Sequence, residues 1–373
     1  MKKVYADYAA STPTDSEVIR AMLPYVNEKF ANPASRHSAG QGVSLVVEAA
    51  RQTIADFVGA KSEEVYFTGT GTESNNLAIL GVAKANQNKG KHIVTTQIEH
   101  PSIINAARSL ESAGWQVTYL PIDKNGQINL SDLEKSLTKK TILFSIHFGN
   151  SELGTMPDLK EISKICHRRG VLLHVDACQA MPYIPMDVEE MGIDLLTFNG
   201  SKLYGPKGVA VLFVRNGVSI FPLVYGGGQE KSLRSGTLNV LGIAGLAKAC
   251  QIASENQVDM IYHITRLRDN LQNQLEKLPN IQINCKSAKR LPNHLSVTFE
   301  GVENRDLVRE LDKMGVEVAS GSACSSKELG GSYVLRALGL SPSEAQATLR
   351  ITLGRSTATS DCQSIYRAIK CLI

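Results

Sequence analysis

The stretch Phe67-Thr-Gly-Thr-Gly-Thr-Glu-Ser-Asn-Asn76 decides the fold. A β-rich run over Val65–Phe67 ends in glycines and threonines, and a helical pattern from Glu73 to Asn86 follows. Thr70 and Glu73 stand at capping-box spacing, a mark of a helix start. Glycines let backbone N–H groups approach an anion. The helix N-terminus adds partial positive charge, so the turn reads as a phosphate cup.

Outward from this stretch, short apolar runs keep alternating with amphipathic ones. Strands are predicted at His92–Thr96, Val117–Leu120, Thr141–His147, Val171–Val175 and Leu195–Phe198, with helices at Ser102–Ala113 and Leu159–Arg169 between them. This order predicts an α/β fold with a mostly parallel sheet covered on both faces. A long helical pattern from Val240 to about Leu278 comes next. Beyond it the runs change to an α+β order, with strands at Ile281–Cys285, His294–Phe299, Val316–Ala319 and Leu349–Leu353. At 373 residues the chain exceeds one core of usual size, and two domains are expected, with the long helix as bridge.

The net charge is +4 without a long basic run, which argues against nucleic-acid binding. The seven cysteines are odd in number and irregularly spaced, and no CxxC occurs. Neither a disulfide framework nor a metal site is expected, and a reducing compartment fits. No apolar run approaches the ~18 residues of a membrane span, and the start of the chain lacks a signal-peptide pattern. A cytoplasmic protein with no membrane contact is expected.

Three more segments carry chemistry. In His174-Val-Asp-Ala-Cys-Gln179 an aspartate ends a buried strand, where open α/β sheets bind ligands; a buried carboxylate calls for a cationic partner. In Asn199-Gly-Ser-Lys-Leu-Tyr-Gly-Pro-Lys-Gly208 a lysine among small residues suits a Schiff base, with Lys202 and Lys207 both candidates. In Ala319-Ser-Gly-Ser-Ala-Cys-Ser-Ser326 the small neighbours of Cys324 leave its sulfur accessible as a nucleophile. Cys178, beside Asp176, is the other cysteine near this chemistry.

Taken with Tyr5-Ala-Asp-Tyr-Ala-Ala-Ser-Thr-Pro13, Glu99-His-Pro101, Glu152-Leu-Gly154, Gly226-Gly-Gly-Gln-Glu230 and Arg234-Ser-Gly-Thr237, these segments make a chain that resembles the cysteine desulfurases over nearly its whole length. The segment around Cys324 is similar to the NifS-like and IscS-like branch; the Arg-x-Gly-His-His-Cys pattern of the SufS-like branch is absent. The resemblance implies fold-type I of the pyridoxal-phosphate (PLP) enzymes, a large domain with a mostly parallel seven-stranded sheet and a smaller α+β C-terminal domain. The expected division is 16–257 for the PLP-binding domain and 258–373 for the small domain with its cysteine loop, residues 1–15 packing on the latter.

By the same resemblance, the protein is a homodimer that removes sulfur from L-cysteine, leaves L-alanine, and passes the sulfur through a persulfide to an acceptor protein. Lys202 would hold PLP and move the substrate Cα proton. His100 would stack on the ring, Asp176 would pair with its nitrogen, and Gln179 would bond its oxygen. Gly71, Thr72, Asn199 and Ser201 would hold the phosphate, with Thr237 reaching it from the other subunit. Asn150 and Ser151 would lie near cofactor and substrate, Arg350 would grip the substrate carboxylate, and Cys324 would receive the sulfur. Iron–sulfur assembly, tRNA thiolation and DNA sulfur modification are the pathways this family feeds. The alternatives are another PLP lyase or aminotransferase on the same fold, or a non-catalytic partner.

Three departures stand out. Ser201 replaces a histidine before the lysine, which predicts weaker PLP retention; Ser201→His should therefore lower the PLP dissociation constant, read by titrating the apoprotein. Ser151 replaces the second Asn of an Asn-Asn-Glu motif. The chain ends at Ile373, about one helix short of typical IscS proteins, which predicts a different acceptor.

Overall fold

The structure is a computed structural model that describes residues 3–301, 304–321 and 331–373. Seven strands form its main sheet: β2 (Val65–Thr68), β3 (His92–Thr96), β4 (Gln116–Leu120), β5 (Thr141–His147), β6 (Leu172–Asp176), β7 (Leu195–Asn199) and β8 (Ala210–Val214). Their order is β2-β8-β7-β6-β5-β3-β4. All neighbours are parallel except β8, which is antiparallel to β2 and β7. Every residue of β3 and β5 is buried, as expected of strands covered on both faces.

The chain runs from β3 outward to β4, then returns past β3 to build β5, β6 and β7 on the other side. That reversal is the topological switch point of the sheet, a place where α/β proteins bind ligands. After β2 the chain turns at once into a helix, Gly71–Asn76, which continues through a π-turn at Leu77–Gly81 into Val82–Asn86. A Cβ on Gly81 would lie 2.6 Å from the Phe221 carbonyl oxygen, so glycine is required there by close backbone approach.

A three-stranded antiparallel sheet joins β9 (Ile281–Ile283), β10 (His294–Phe299) and β12 (Thr348–Thr352). The chain's start forms a separate two-stranded sheet, β1 (Val4–Tyr5) pairing in parallel with β11 (Val316–Glu317), and Asp7 bridges to Thr352 of β12. Two of the expected strands are shorter than predicted. β9 stops before Cys285, which adopts φ +51°, and β11 stops at Glu317.

Helix Val240–Leu275 serves two apolar cores. Its first half, Ile243 to Ala253, packs with the main sheet; its second half, Met260 to Leu275, packs with β10, β12 and the C-terminal helix Thr359–Leu372. We propose on this change-over that the chain divides near residue 257. Among the described residues no helix is long and apolar enough to cross a membrane.

Candidate active site

The carboxyl ends of β2, β3, β5, β6 and β7 point to one edge of the sheet, where a cavity of about 250 Å³ opens. Its size suits a small organic molecule. Gly71 and Thr72 after β2, His100 after β3, and Asn150 and Ser151 after β5 line it. So do Asp176 and Gln179 from β6, Asn199 and Lys202 from β7, and Arg350 from β12. The residues from Gly71 to Lys202 converge because each follows or ends a strand of the same edge, whereas Arg350 reaches the cavity from the middle of β12 in the smaller sheet.

The turn after β2 carries the capped helix start that the sequence implies. Thr70 caps the helix, its hydroxyl accepting from the Glu73 amide at 3.1 Å, while the Glu73 carboxylate accepts from Gly69 N at 2.8 Å. The amides of Gly71 and Thr72, at the first turn, have no intrahelical carbonyl to bond. A Cβ on Gly71 would come within 2.8 Å of Cys178 Sγ and 3.0 Å of Asn199 Nδ2, so only glycine lets these segments meet.

Asp176 is 7% exposed. Its Oδ2 accepts from Asn75 Nδ2 at 2.7 Å and its Oδ1 from the Cys178 amide at 3.0 Å. Asn75 also donates to Ser102 Oγ, and its own Oδ1 is buried without a partner among the described residues. His100 caps helix Pro101–Ser112, its Nδ1 accepting from Ser102 N, which fixes the ring at the cavity wall. Lys202 Nζ donates to the Ala10 carbonyl and Gln179 Nε2 to the Ala9 carbonyl (2.9 Å). Ala9 and Ala10, from the first segment of the chain, therefore form one wall.

Arg350 is nearly buried. Its Nη1 donates to the Ser151 carbonyl at 2.8 Å and its Nη2 to Asp7 Oδ1 at 2.6 Å; its Nε has no partner among the described residues. A guanidinium held by two acceptors presents the rest of its fork in a fixed orientation. If Arg350 grips a substrate carboxylate, Asp7→Asn should raise KM for L-cysteine about tenfold while kcat changes less, since a charge-assisted hydrogen bond contributes on the order of 1.5–3 kcal/mol. Steady-state kinetics beside a melting curve check this.

Several expected residues have other neighbours. Asn150 is built into its own loop: Oδ1 accepts from the amides of Glu152 and Leu153, and Nδ2 donates to the Ile98 carbonyl. At most its second Nδ2 hydrogen is left for the cavity. Ser201 does not line the cavity; its hydroxyl donates to Asn199 Oδ1 at 3.0 Å and so steadies Asn199. Thr237 is exposed outside the cavity, although Arg234 of the same motif bonds Glu73 at 2.7 Å. Lys207, the competing lysine, is also exposed outside it. Cys324 lies outside the described residues. Ser332, on one side of that segment, donates to Glu152 Oε2 at 2.5 Å, and a Cβ on Gly321, on the other side, would meet the same oxygen at 3.1 Å.

Among the described cysteines, Cys166, Cys250, Cys285 and Cys362 are buried, and burial pushes each thiol up. Cys178 lines the cavity, but burial and the nearby Asp176 raise its pKa well above the usual thiol value. It is therefore a neutral wall and a poor nucleophile. No group of His, Cys, Asp and Glu among the described residues is arranged to hold a metal ion.

Behind Asp176, His174 is fully buried between Ser145 Oγ (2.8 Å) and Thr197 Oγ1 (3.1 Å), and burial lowers its pKa to about 4. The unfolded chain, with an ordinary histidine, binds this proton at higher pH. Stability contributed by neutral His174 is thus complete above pH 6.5 and is lost as pH falls toward 4, by up to about 3 kcal/mol. Urea unfolding from pH 7 to 4 should show that slope, and His174→Gln should flatten it.

PLP fits this donor set. A phosphate finds free helix-end amides at Gly71 and Thr72, a basic ring nitrogen finds the buried Asp176 carboxylate, and a carbonyl finds the Lys202 amine. The unpartnered Asn75 Oδ1 and Arg350 Nε lie on residues that line the same cavity.

The comparisons point the same way. The family described as "Aminotransferase class-V" matches residues 4–365. "Cysteine desulfurase IscS" of Dictyoglomus turgidum is 44% identical over 96% of this chain and 92% of its own. A solved "NIFS-LIKE PROTEIN" superposes with a TM-score of 0.93 at 34% identity, covering 99% of both chains. The structure "SspA in complex with cysteine" superposes with a TM-score of 0.84 at 35% identity, over 95% of this chain and all of that one.

Proposed function

Because the chain belongs to the cysteine desulfurases of the class-V aminotransferase family, we propose that it uses PLP to convert L-cysteine to L-alanine and hands the sulfur to Cys324 and then to an acceptor protein. The observation that carries this reading is the single cavity shared by Lys202, Asp176, His100, the Gly71–Thr72 cup and Arg350.

Bound there, PLP supplies a carbonyl that takes the substrate amine and a cationic ring that draws electrons from the substrate Cα. The chain's own groups do the rest. The amides of Gly71 and Thr72, with Asn199, hold the phosphate, and Asp176, steadied by Asn75, keeps the ring nitrogen protonated. His100 covers the ring. Arg350 takes the substrate carboxylate, which fixes the Cα–H bond toward Lys202. Lys202 Nζ removes that proton and holds it for return to carbon. The Cys324 thiolate attacks the substrate sulfur: the Cβ–S bond breaks, an S–S bond forms, and the electron pair stays on the alanine skeleton.

A homodimer is part of the proposal. Phe30, Leu45 and Tyr225 are 76%, 73% and 68% exposed, a large apolar load for an isolated subunit, and exposed Thr237 is free to reach a second copy. A cytoplasmic setting, L-cysteine as substrate and the acceptor protein belong to the same reading. The test is mass spectrometry of the PLP-loaded protein after L-cysteine with alkylation of persulfides. One extra sulfur on Cys324, absent in Cys324→Ser, is the expected result; extra sulfur on another cysteine, or on none, contradicts it.

A further inference from the structure

Cys178 and Ser201 both bond the Asn199 side chain, and neither takes part in the steps above. Asn199 ends β7, Ser201 lies in the turn after it, and Cys178 follows Asp176 of β6 by two positions. Ser201 Oγ donates to Asn199 Oδ1 at 3.0 Å, and Asn199 Nδ2 donates to Cys178 Sγ at 3.3 Å. Cys178 and Asn199 line the cavity, and Ser201 does not. An amide presents an oxygen on one side and an NH2 on the other, and its neighbours decide which faces where. Burial and the Asp176 carboxylate keep the Cys178 thiol protonated, and the thiol bonds that carboxylate. With its one hydrogen committed to Asp176, Cys178 Sγ can only accept from Asn199. The NH2 therefore faces Cys178 and Gly71, and Oδ1 is left to the Ser201 hydroxyl. Nδ2 sits 3.0 Å from where a Cβ on Gly71 would stand. One of its two hydrogens goes to Cys178; the other has no partner among the described residues and is left for the cavity.

We propose that Ser201 and Cys178 are positioning residues that aim the Asn199 amide, as a hydrogen-bond donor, at the cofactor phosphate. The side chains Ser201, Asn199, Cys178 and Asp176 then form one hydrogen-bonded series. It ties the phosphate end of the site to the carboxylate that meets the ring nitrogen. The inference rests on the PLP reading above and adds to it a role for Cys178 and an indirect one for Ser201. The direction of the amide matters because the turned form would set Oδ1 lone pairs against an anion. A charge-assisted hydrogen bond would become a repulsion. Ser201 thus serves the phosphate without touching it.

The experiment is calorimetry of the apoprotein with pyridoxamine 5′-phosphate and with pyridoxamine. Neither forms an imine with Lys202, and the ratio of their dissociation constants isolates the phosphate. Wild type should prefer the phosphorylated ligand. Ser201→Ala should cut that preference about tenfold and leave pyridoxamine affinity unchanged. Cys178→Ala should cut it too. Cys178→Ser keeps a group that donates to Asp176 and accepts from Asn199, and should restore it. In an Asn199→Ala background, Ser201→Ala should have no further effect, because the two act through one amide. An equal loss for both ligands in Ser201→Ala overturns the proposal, since that is a packing effect. An undiminished Ser201→Ala effect in the Asn199→Ala background also overturns it, as does a Cys178→Ser protein no better than Cys178→Ala. Failure of wild type to prefer the phosphorylated ligand, or to bind either, would instead overturn the cofactor reading itself.

Discussion

Lys202→Ala should lower alanine formation from L-cysteine on the order of 10⁴-fold, the upper range for losing a positioned proton-transfer group that is also the covalent anchor. Lys202 is the lysine that lines the cavity, while Lys207 of the same turn is exposed outside it. Lys202 Nζ donates to the Ala10 carbonyl at the cavity wall. Borohydride reduction of the loaded protein should fix PLP on wild type but not on Lys202→Ala, with similar melting curves for both. Fixation on Lys207 would reassign the anchor.

Asp176→Ala should weaken PLP binding at least about 100-fold and cut turnover about 10³-fold, because a buried ion pair is lost and the ring is no longer held cationic. The carboxylate is oriented by Asn75 and by the Cys178 amide, and both orienting groups stay in place in the variant. Asp176→Asn keeps the shape and removes the charge. It should recover PLP binding in part and turnover hardly at all. Equilibrium titration with PLP and single-turnover kinetics separate the two effects.

Much of this site was legible because its parts sit at strand ends. Asp176 and Lys202 each follow a buried apolar run, and the Gly71–Thr72 turn follows another, so a sheet pattern plus polar punctuation located them. β8 went unmarked: Ala210–Val214 is a short buried run without periodicity, and its antiparallel course depends on pairing with β2 and β7. The walls made by Ala9 and Ala10 were invisible because they act through backbone carbonyls, whose partners lie at positions 179 and 202. Asn75 lay inside the first motif but carried no separate signal; its link to Asp176 spans 101 positions. His147, which lines the cavity, was absorbed into a strand pattern that reads as core. A histidine ending a fully buried run at the carboxyl edge is the signal that could have found it. The same edge explains why Asn150, set in its loop by Ile98, Glu152 and Leu153, contributes shape more than contact.

The most direct test incubates the PLP-loaded protein with L-cysteine and a thiol reductant, and quantifies sulfide and alanine beside Cys324→Ser. Equal amounts of the two products, both abolished by the substitution, are the predicted result. Alanine or pyruvate without sulfide, or undiminished sulfide from Cys324→Ser, would contradict a desulfurase that works through Cys324.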